Sequence, residues 1–103
     1  MKVVWMSLPK RQVREAAKYI YKEFGKKVKD DFMHEVQSTS RLIGRSPNIG
    51  MVEPLLTDRT TMYRSFVVNH LNKIVYSIVD DHIEVAAFWD VRRDPGTLAS
   101  QVK

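Results

Sequence analysis

Tyr63-Arg64-Ser65-Phe66-Val67-Val68-Asn69, Lys73-Ile74-Val75-Tyr76-Ser77-Ile78-Val79 and His82-Ile83-Glu84-Val85-Ala86-Ala87-Phe88-Trp89 follow one another with only short gaps between them. Each run is rich in β-branched and aromatic residues, the side chains that suit a pleated, half-buried surface. Leu71-Asn72 reads as the first turn and Asp80-Asp81 as the second. Parallel neighbours need a crossover of about a dozen residues or more, so these three strands form an antiparallel meander. The last strand runs into Asp90-Val91-Arg92-Arg93-Asp94-Pro95. Two adjacent arginines therefore stand at a strand end, between aromatics and a chain-breaking proline, where a fold presents side chains to a partner.

Upstream, residues 2–6 read as a short strand, apolar almost throughout. Ser7-Leu8-Pro9 reads as a helix entry, because a serine can accept from free backbone N–H groups and proline is tolerated in the first turn. Val13, Ala16, Ala17, Ile20, Tyr21 and Phe24 then recur at i, i+3, i+4, i+7, i+8 and i+11, the apolar stripe of an amphipathic helix. Its other side carries a basic stripe of Arg11, Arg14, Lys18 and Lys22, and Gly25 suits the left-handed residue that ends a helix. A second helix is expected over 27–43, where Val28, Phe32, Val36, Thr39 and Ile43 are spaced by three or four and Gly44 and Pro47 supply the stop. A link of two or three residues makes the two helices antiparallel neighbours. Residues 45–61 form a connecting segment with turn formers at Pro47, Asn48, Gly50 and Pro54 and a short extended piece at Leu55-Leu56. The order is β-α-α-β-β-β, an α+β domain with a helical hairpin packed on one face of a small antiparallel sheet.

With 103 residues the chain is expected to form one domain, 1–103. A hydrophobic content of 44% with 28% charged residues fits a folded soluble chain. No apolar run approaches the roughly 18 residues of a membrane span, and the N-terminus lacks the apolar length of a signal peptide, so a cytoplasmic protein without a membrane partner is expected. The absence of cysteine excludes disulfides, thiolate zinc sites and cysteine nucleophiles. His34, His70 and His82 have no H-x-x-x-H spacing, no serine sits in a nucleophile-elbow glycine pattern, and the glycines are not clustered into a phosphate loop. Neither a metal nor a small-molecule cofactor is expected.

The net charge is +5, and its distribution matters more than its size. Lys10, Arg11, Arg14, Lys18, Lys22, Lys26, Lys27 and Lys29 face only Glu15 and Glu23 over the same stretch. Such a field favours an acidic partner, either nucleic acid or an acidic protein segment. Tyr76, Phe88 and Trp89 can stack on bases, but strand alternation sends two or all three of them inward.

This element order, in a basic chain of this size, resembles the RelE/ParE superfamily of toxins from bacterial type II toxin-antitoxin systems. The residues that carry the likeness are Val3-Val4-Trp5, Ala17-Lys18-Tyr19-Ile20-Tyr21, the Ile49-Gly50 turn, Met62-Tyr63-Arg64-Ser65-Phe66-Val67-Val68, Lys73-Ile74-Val75-Tyr76-Ser77-Ile78-Val79-Asp80 and Arg92-Arg93-Asp94-Pro95. In that family a tyrosine-arginine pair opens the second strand, an apolar-apolar-tyrosine step lies in the third, and an arginine-aspartate-proline step ends the fourth. The closing Arg-Arg-Asp-Pro looks more like the ParE-type branch, whose members inhibit DNA gyrase, than the RelE-type branch, whose members cut messenger RNA on the ribosome. Either branch implies a cognate antitoxin as partner.

The resemblance also implies site residues. Arg64, Lys73 and Arg92 occupy, by strand order, places where RelE-type enzymes carry basic catalytic residues, and such a set would stabilise charge on a scissile phosphate. His70 and His82 are the candidate stand-in proton donors. For contact with target or antitoxin the candidates are Arg11, Arg14, Lys18, Lys22, Arg64, Arg92 and Arg93. As ordinary structural residues, Arg64, Lys73 and Arg92 would instead pair with Asp80, Asp90 or Asp94, and Arg93 with Asp90 or Asp94. RelE-type enzymes add an acid-base tyrosine or histidine after the last strand, whereas residues 96–103 contain neither, and a further basic position of their second strand falls on Phe66. The readings are therefore a ParE-like toxin that acts by binding, a RelE-like ribosome-dependent endoribonuclease, and an inactive relative that keeps antitoxin binding.

Overall fold

The computed structural model describes residues 1–92 and 95–102. The elements are β1 (Lys2–Trp5), α1 (Ser7–Phe24), α2 (Lys26–Arg45), β2 (Met51–Val52), a single 3-10 turn (Pro54–Leu56), β3 (Tyr63–Val68), β4 (Asn72–Val79), β5 (His82–Asp90) and α3 (Pro95–Gln101). Ile74, Val75, Tyr76 and Ser77 of β4 are buried in succession. Successive strand residues point to opposite faces, so the sheet has to be covered on both sides.

The five strands lie in the order β1-β5-β4-β3-β2. The meander β3-β4-β5 is antiparallel as expected, but the sheet as a whole is mixed rather than antiparallel: β1 runs parallel to β5, with Val3 opposite Ile83 and Trp5 opposite Val85. The long excursion through both helices carries the chain from β1 at one edge to β2 at the other, and that crossover frees β1 to pair in the parallel sense.

On one face the hairpin packs Val13, Phe32, Val36 and Ile43 against Ile74, Tyr76, Ile83, Val85 and Phe88. The edge of Phe32 meets the ring of Phe88 at 6.0 Å and 80°. On the other face Leu98 and Val102, on and just after α3, join Leu56 over Val75, Ala87 and Trp89. A bulge where the β4–β5 register shifts at Val75/Tyr76 reconciles the two faces. It places Val85 and Phe88, three apart, on the same side. Tyr76, Phe88 and Trp89 are all buried, as alternation implied.

Several local expectations change. Ser7 is the first residue of α1 rather than its cap, Met6 stands before it, and no side chain caps the helix. Gly25 alone links the helices, at φ 91°, a left-handed conformation that favours glycine. Helix α2 runs two residues past the expected end, because Gly44 is a close-approach residue and not a stop. A Cβ there would lie 2.9 Å from the Met1 carbonyl oxygen, and the Met1 ammonium donates to the Gly44 oxygen at 2.7 Å. Leu55-Leu56 lie in the 3-10 turn, with the extended piece displaced to Met51–Val52. The first hairpin turn is Asn69-His70-Leu71 and not Leu71-Asn72. Asn69 and His70 take positive φ there, and the Asn69 Oδ1 accepts from the Leu71 N–H at 3.2 Å. Along the apolar stripe of α1 Val13 is buried and Ala16, Ala17 and Ile20 pack half-buried against the core, whereas Tyr21 and Phe24 are 56% and 62% exposed.

Candidate functional site

Arg64, Lys73 and Arg92 are not brought together. Arg64 stands opposite Tyr76 in the β3–β4 register, and Lys73 is three residues from Tyr76 along β4. An odd separation along a strand reverses the face, so the two side chains leave the sheet in opposite directions. Arg92 lies beyond the end of β5.

Each of the three has an intramolecular partner. The Lys73 ammonium pairs with the carboxylate of Glu53, whose side chain is fully buried. Glu53 also accepts from the Leu55 N–H at 3.3 Å, so one carboxylate caps the 3-10 turn and neutralises the lysine. The Arg64 Nη1 donates to the Gly50 carbonyl at 2.8 Å. Beside it the Tyr76 hydroxyl accepts from the Gly50 N–H at 3.0 Å and donates to the Pro47 carbonyl at 2.7 Å. The approach is so close that a Cβ on Gly50 would lie 2.7 Å from the Tyr76 hydroxyl. Burial pushes the Tyr76 phenol above its ordinary pKa, against the Gly50 N–H and the Arg64 charge, which pull it down. Arg92 forks onto Asp90, with Nε 3.0 Å from Oδ1 and Nη2 2.8 Å from Oδ2, and this bonded carboxylate raises the guanidinium further.

The remaining candidates divide by exposure. Arg93, Asp94 and their part in the closing motif lie outside the described residues. His70 is exposed in the β3–β4 turn. His82 opens β5, its Nε2 3.0 Å from Glu84 and its Nδ1 3.5 Å from Asp81. The Glu84 bond raises the imidazole pKa, Asp81 adds to it, and partial desolvation opposes both. Arg11, Arg14, Lys18 and Lys22 are exposed along α1. Among the described residues they form no ion pair, in contrast to the lysines of the hairpin tip, where Lys26 and Lys29 both reach Asp30 and Lys27 reaches Asp31. No group of three or more metal-ligating side chains occurs among the described residues.

Three structural side chains were missed from sequence. Glu53 had a visible signal, a lone acid inside the apolar run Met51-Val52-Glu53-Pro54-Leu55-Leu56, which a fold buries only with a counter-charge. Arg59 donates to the Ala99 and Val102 carbonyls at the end of α3. Gln12 accepts from the Phe88 N–H at 2.9 Å and donates to Gln101. It fills the β5 edge beyond the reach of β1, and nothing local marks it for that role.

No protein-family model and no curated protein matches the chain. Among solved structures it is similar to a chain of the chromosomal ParDE TA system from P. aeruginosa, with a TM-score of 0.73 and 10% sequence identity over 88% of this chain and 96% of that one. The likeness is one of fold. Two helices on a five-stranded mixed sheet form the ParE-like arrangement, and the α+β fold expected from the resemblance is borne out.

Lys73→Ala strands the buried Glu53 carboxylate and is expected to cost about 3–5 kcal/mol in urea unfolding, with most of the loss recovered in Glu53→Leu/Lys73→Leu. Arg92→Ala should leave the unfolding midpoint near that of the unsubstituted chain, and comparable losses at the two positions would contradict the assignment. An NMR titration should place His82 above its ordinary value of 6.5, and Glu84→Gln should bring it back. Because the folded-state value is raised, this contribution to stability is present below the ordinary pKa and is lost as pH rises through the raised one. Titration at or below the ordinary value would contradict it.

Proposed function

We propose that this chain is the toxin of a type II toxin-antitoxin module, of the ParE-like kind, acting by binding and neutralised by an antitoxin encoded beside it. The observation that carries the reading is the ParE-like fold combined with the fate of the three basic strand positions, each engaged within the molecule and spread over two faces and a strand end. Phosphoryl chemistry needs donors converging on one oxygen cluster. A binding protein needs exposed charge and apolar anchors, and α1 supplies both. Arg11, Arg14, Lys18, Lys22, Arg92 and Arg93 are the residues proposed for contact with the target or the antitoxin.

DNA gyrase is the proposed target, on the resemblance of the closing Arg-Arg-Asp-Pro to ParE-type chains. The antitoxin is expected to be a short acidic chain whose C-terminal segment folds as it binds, electrostatics setting the on-rate and apolar residues the residence time.

Expression without the neighbouring reading frame is expected to arrest growth, and co-expression of that frame to relieve the arrest. Purified chain is expected to inhibit gyrase supercoiling in proportion to the toxin-to-gyrase ratio. Growth arrest with unaffected supercoiling would remove gyrase as the target, and normal growth would favour the inactive relative.

A further inference from the structure

Where α1 passes the end of β5 and the β3–β4 turn, Tyr19 and Phe24 border a hollow of about 510 Å³. Ala16, Ile20 and Phe88, packed in the core, form its floor. Tyr19 and Phe24 are 61% and 62% exposed, and Leu71 and Val91 stand exposed on the other side. That side is fixed: the Val91 N–H donates to the Leu71 carbonyl at 2.8 Å, and the Asn72 Nδ2 donates to the Asn69 Oδ1 at 3.3 Å. Four large apolar side chains left in water around one hollow are a contiguous patch and mark an interaction surface. The charges around it are of both signs. The only acids of α1, Glu15 and Glu23, fall four residues before and four after Tyr19 and so share its side of the helix, as does Lys22 at three. Neither glutamate is ion-paired among the described residues, and the Asp90–Arg92 fork closes the far rim.

This combination selects among occupants. A nucleic acid would be repelled by Glu15, Glu23 and Asp90, and a segment of either single sign would meet like charge on this face. A second copy of the chain brings both signs, because a two-fold axis sets the same patch against itself and offers the acids of one copy to the cations of the other. The opposite side of α1 cannot serve two copies in this way, since Arg11, Arg14 and Lys18 would face their own kind. Shape agrees with charge. Exposed aromatics beside a hollow are self-complementary under a two-fold, the aromatics of each copy entering the hollow of the other. We propose that the chain self-associates as a two-fold dimer through this face, with Tyr19 and Phe24 of each copy seated against Ala16, Ile20 and Leu71 of the other. Two aromatics more than half exposed supply roughly 200–300 Å² of the roughly 800 Å² per partner that a stable interface buries, so the dimer is a weak, reversible one. Self-association of this kind needs nothing from the toxin reading.

Sedimentation velocity on the full chain across a concentration series tests it. A monomer–dimer equilibrium with a Kd on the order of 10 μM is expected. Tyr19→Asp/Phe24→Asp should raise that Kd at least tenfold. Glu15→Lys/Glu23→Lys, which leaves cations opposed to cations, should do the same, and adding Arg92→Glu to it should recover threefold or more. Met51→Asp, at an equally exposed apolar residue on the edge strand β2, should change the Kd less than twofold. All these side chains are exposed, so the variants are expected to keep the unfolding midpoint of the unsubstituted chain. In the unsubstituted chain the NMR signals of the Tyr19 ring and the Leu71 methyls should move with concentration while the Met51 methyl stays still. Sedimentation as a monomer at every concentration would overturn the proposal, as would a dimer indifferent to Tyr19→Asp/Phe24→Asp or weakened equally by Met51→Asp. A monomer whose Tyr19 and Leu71 signals move only when gyrase or the product of the neighbouring reading frame is added would overturn the second copy as occupant.

Discussion

The structure depends on β4 being buried on both faces. Ile74 and Tyr76 point into the helical hairpin while Val75 and Ser77 point into the layer made by the 3-10 turn and α3. A five-stranded sheet with such a centre cannot rest on one helical layer, and this explains a feature the tail alone does not suggest. The short α3 exists to place Leu98, and Val102 after it, over Trp89 and Leu56, and Arg59 fastens its end.

The same constraint decides the fate of the polar groups around β4. Tyr76 brings a phenol into the interior, and a buried hydroxyl without partners is costly. Gly50 and Pro47 satisfy it, and in doing so they tie the chain leaving α2 to the centre of the sheet. Arg64 completes that corner from β3. On the opposite face Lys73 lies near Trp89, where its charge needs a counter-ion, and the chain returns Glu53 to meet it. Arg64 and Lys73 are thus absorbed by the fold, whereas the basic residues of α1 are left for solvent or for a partner. The molecule separates structural charge from recognition charge.

What the sequence disclosed follows the range of the interactions involved. The helices and the meander were legible because their periodicity is local: Val13 to Ile20, Phe32 to Ile43, and the alternating strands after Tyr63. The pairing of β1 with β5 was not, because Val3 and Ile83 are eighty residues apart and nothing near either names the other. Strand β2 has two residues, both exposed, and α3 begins at a proline and, among its described side chains, buries Leu98 alone, so neither carries a usable pattern. At the candidate site the basic positions were legible as residue types and by strand order. Their partners were not, since whether Lys73 is a catalyst or half of a buried pair depends on where Glu53 returns, and that is set by the connection from α2 rather than by either residue's neighbours.

The central claim is that Arg64 and Lys73 serve the fold, that Arg92 does not converge with them on one site, and that the chain acts by binding. Mapping transcript 5′ ends on translating ribosomes incubated with the purified chain tests it most directly. Intact transcripts at a concentration that arrests growth are the predicted result. Codon-specific cleavage in the ribosomal A site, abolished by Arg64→Ala or Arg92→Ala in a chain that still folds, would contradict the account and place the protein with the ribonucleases.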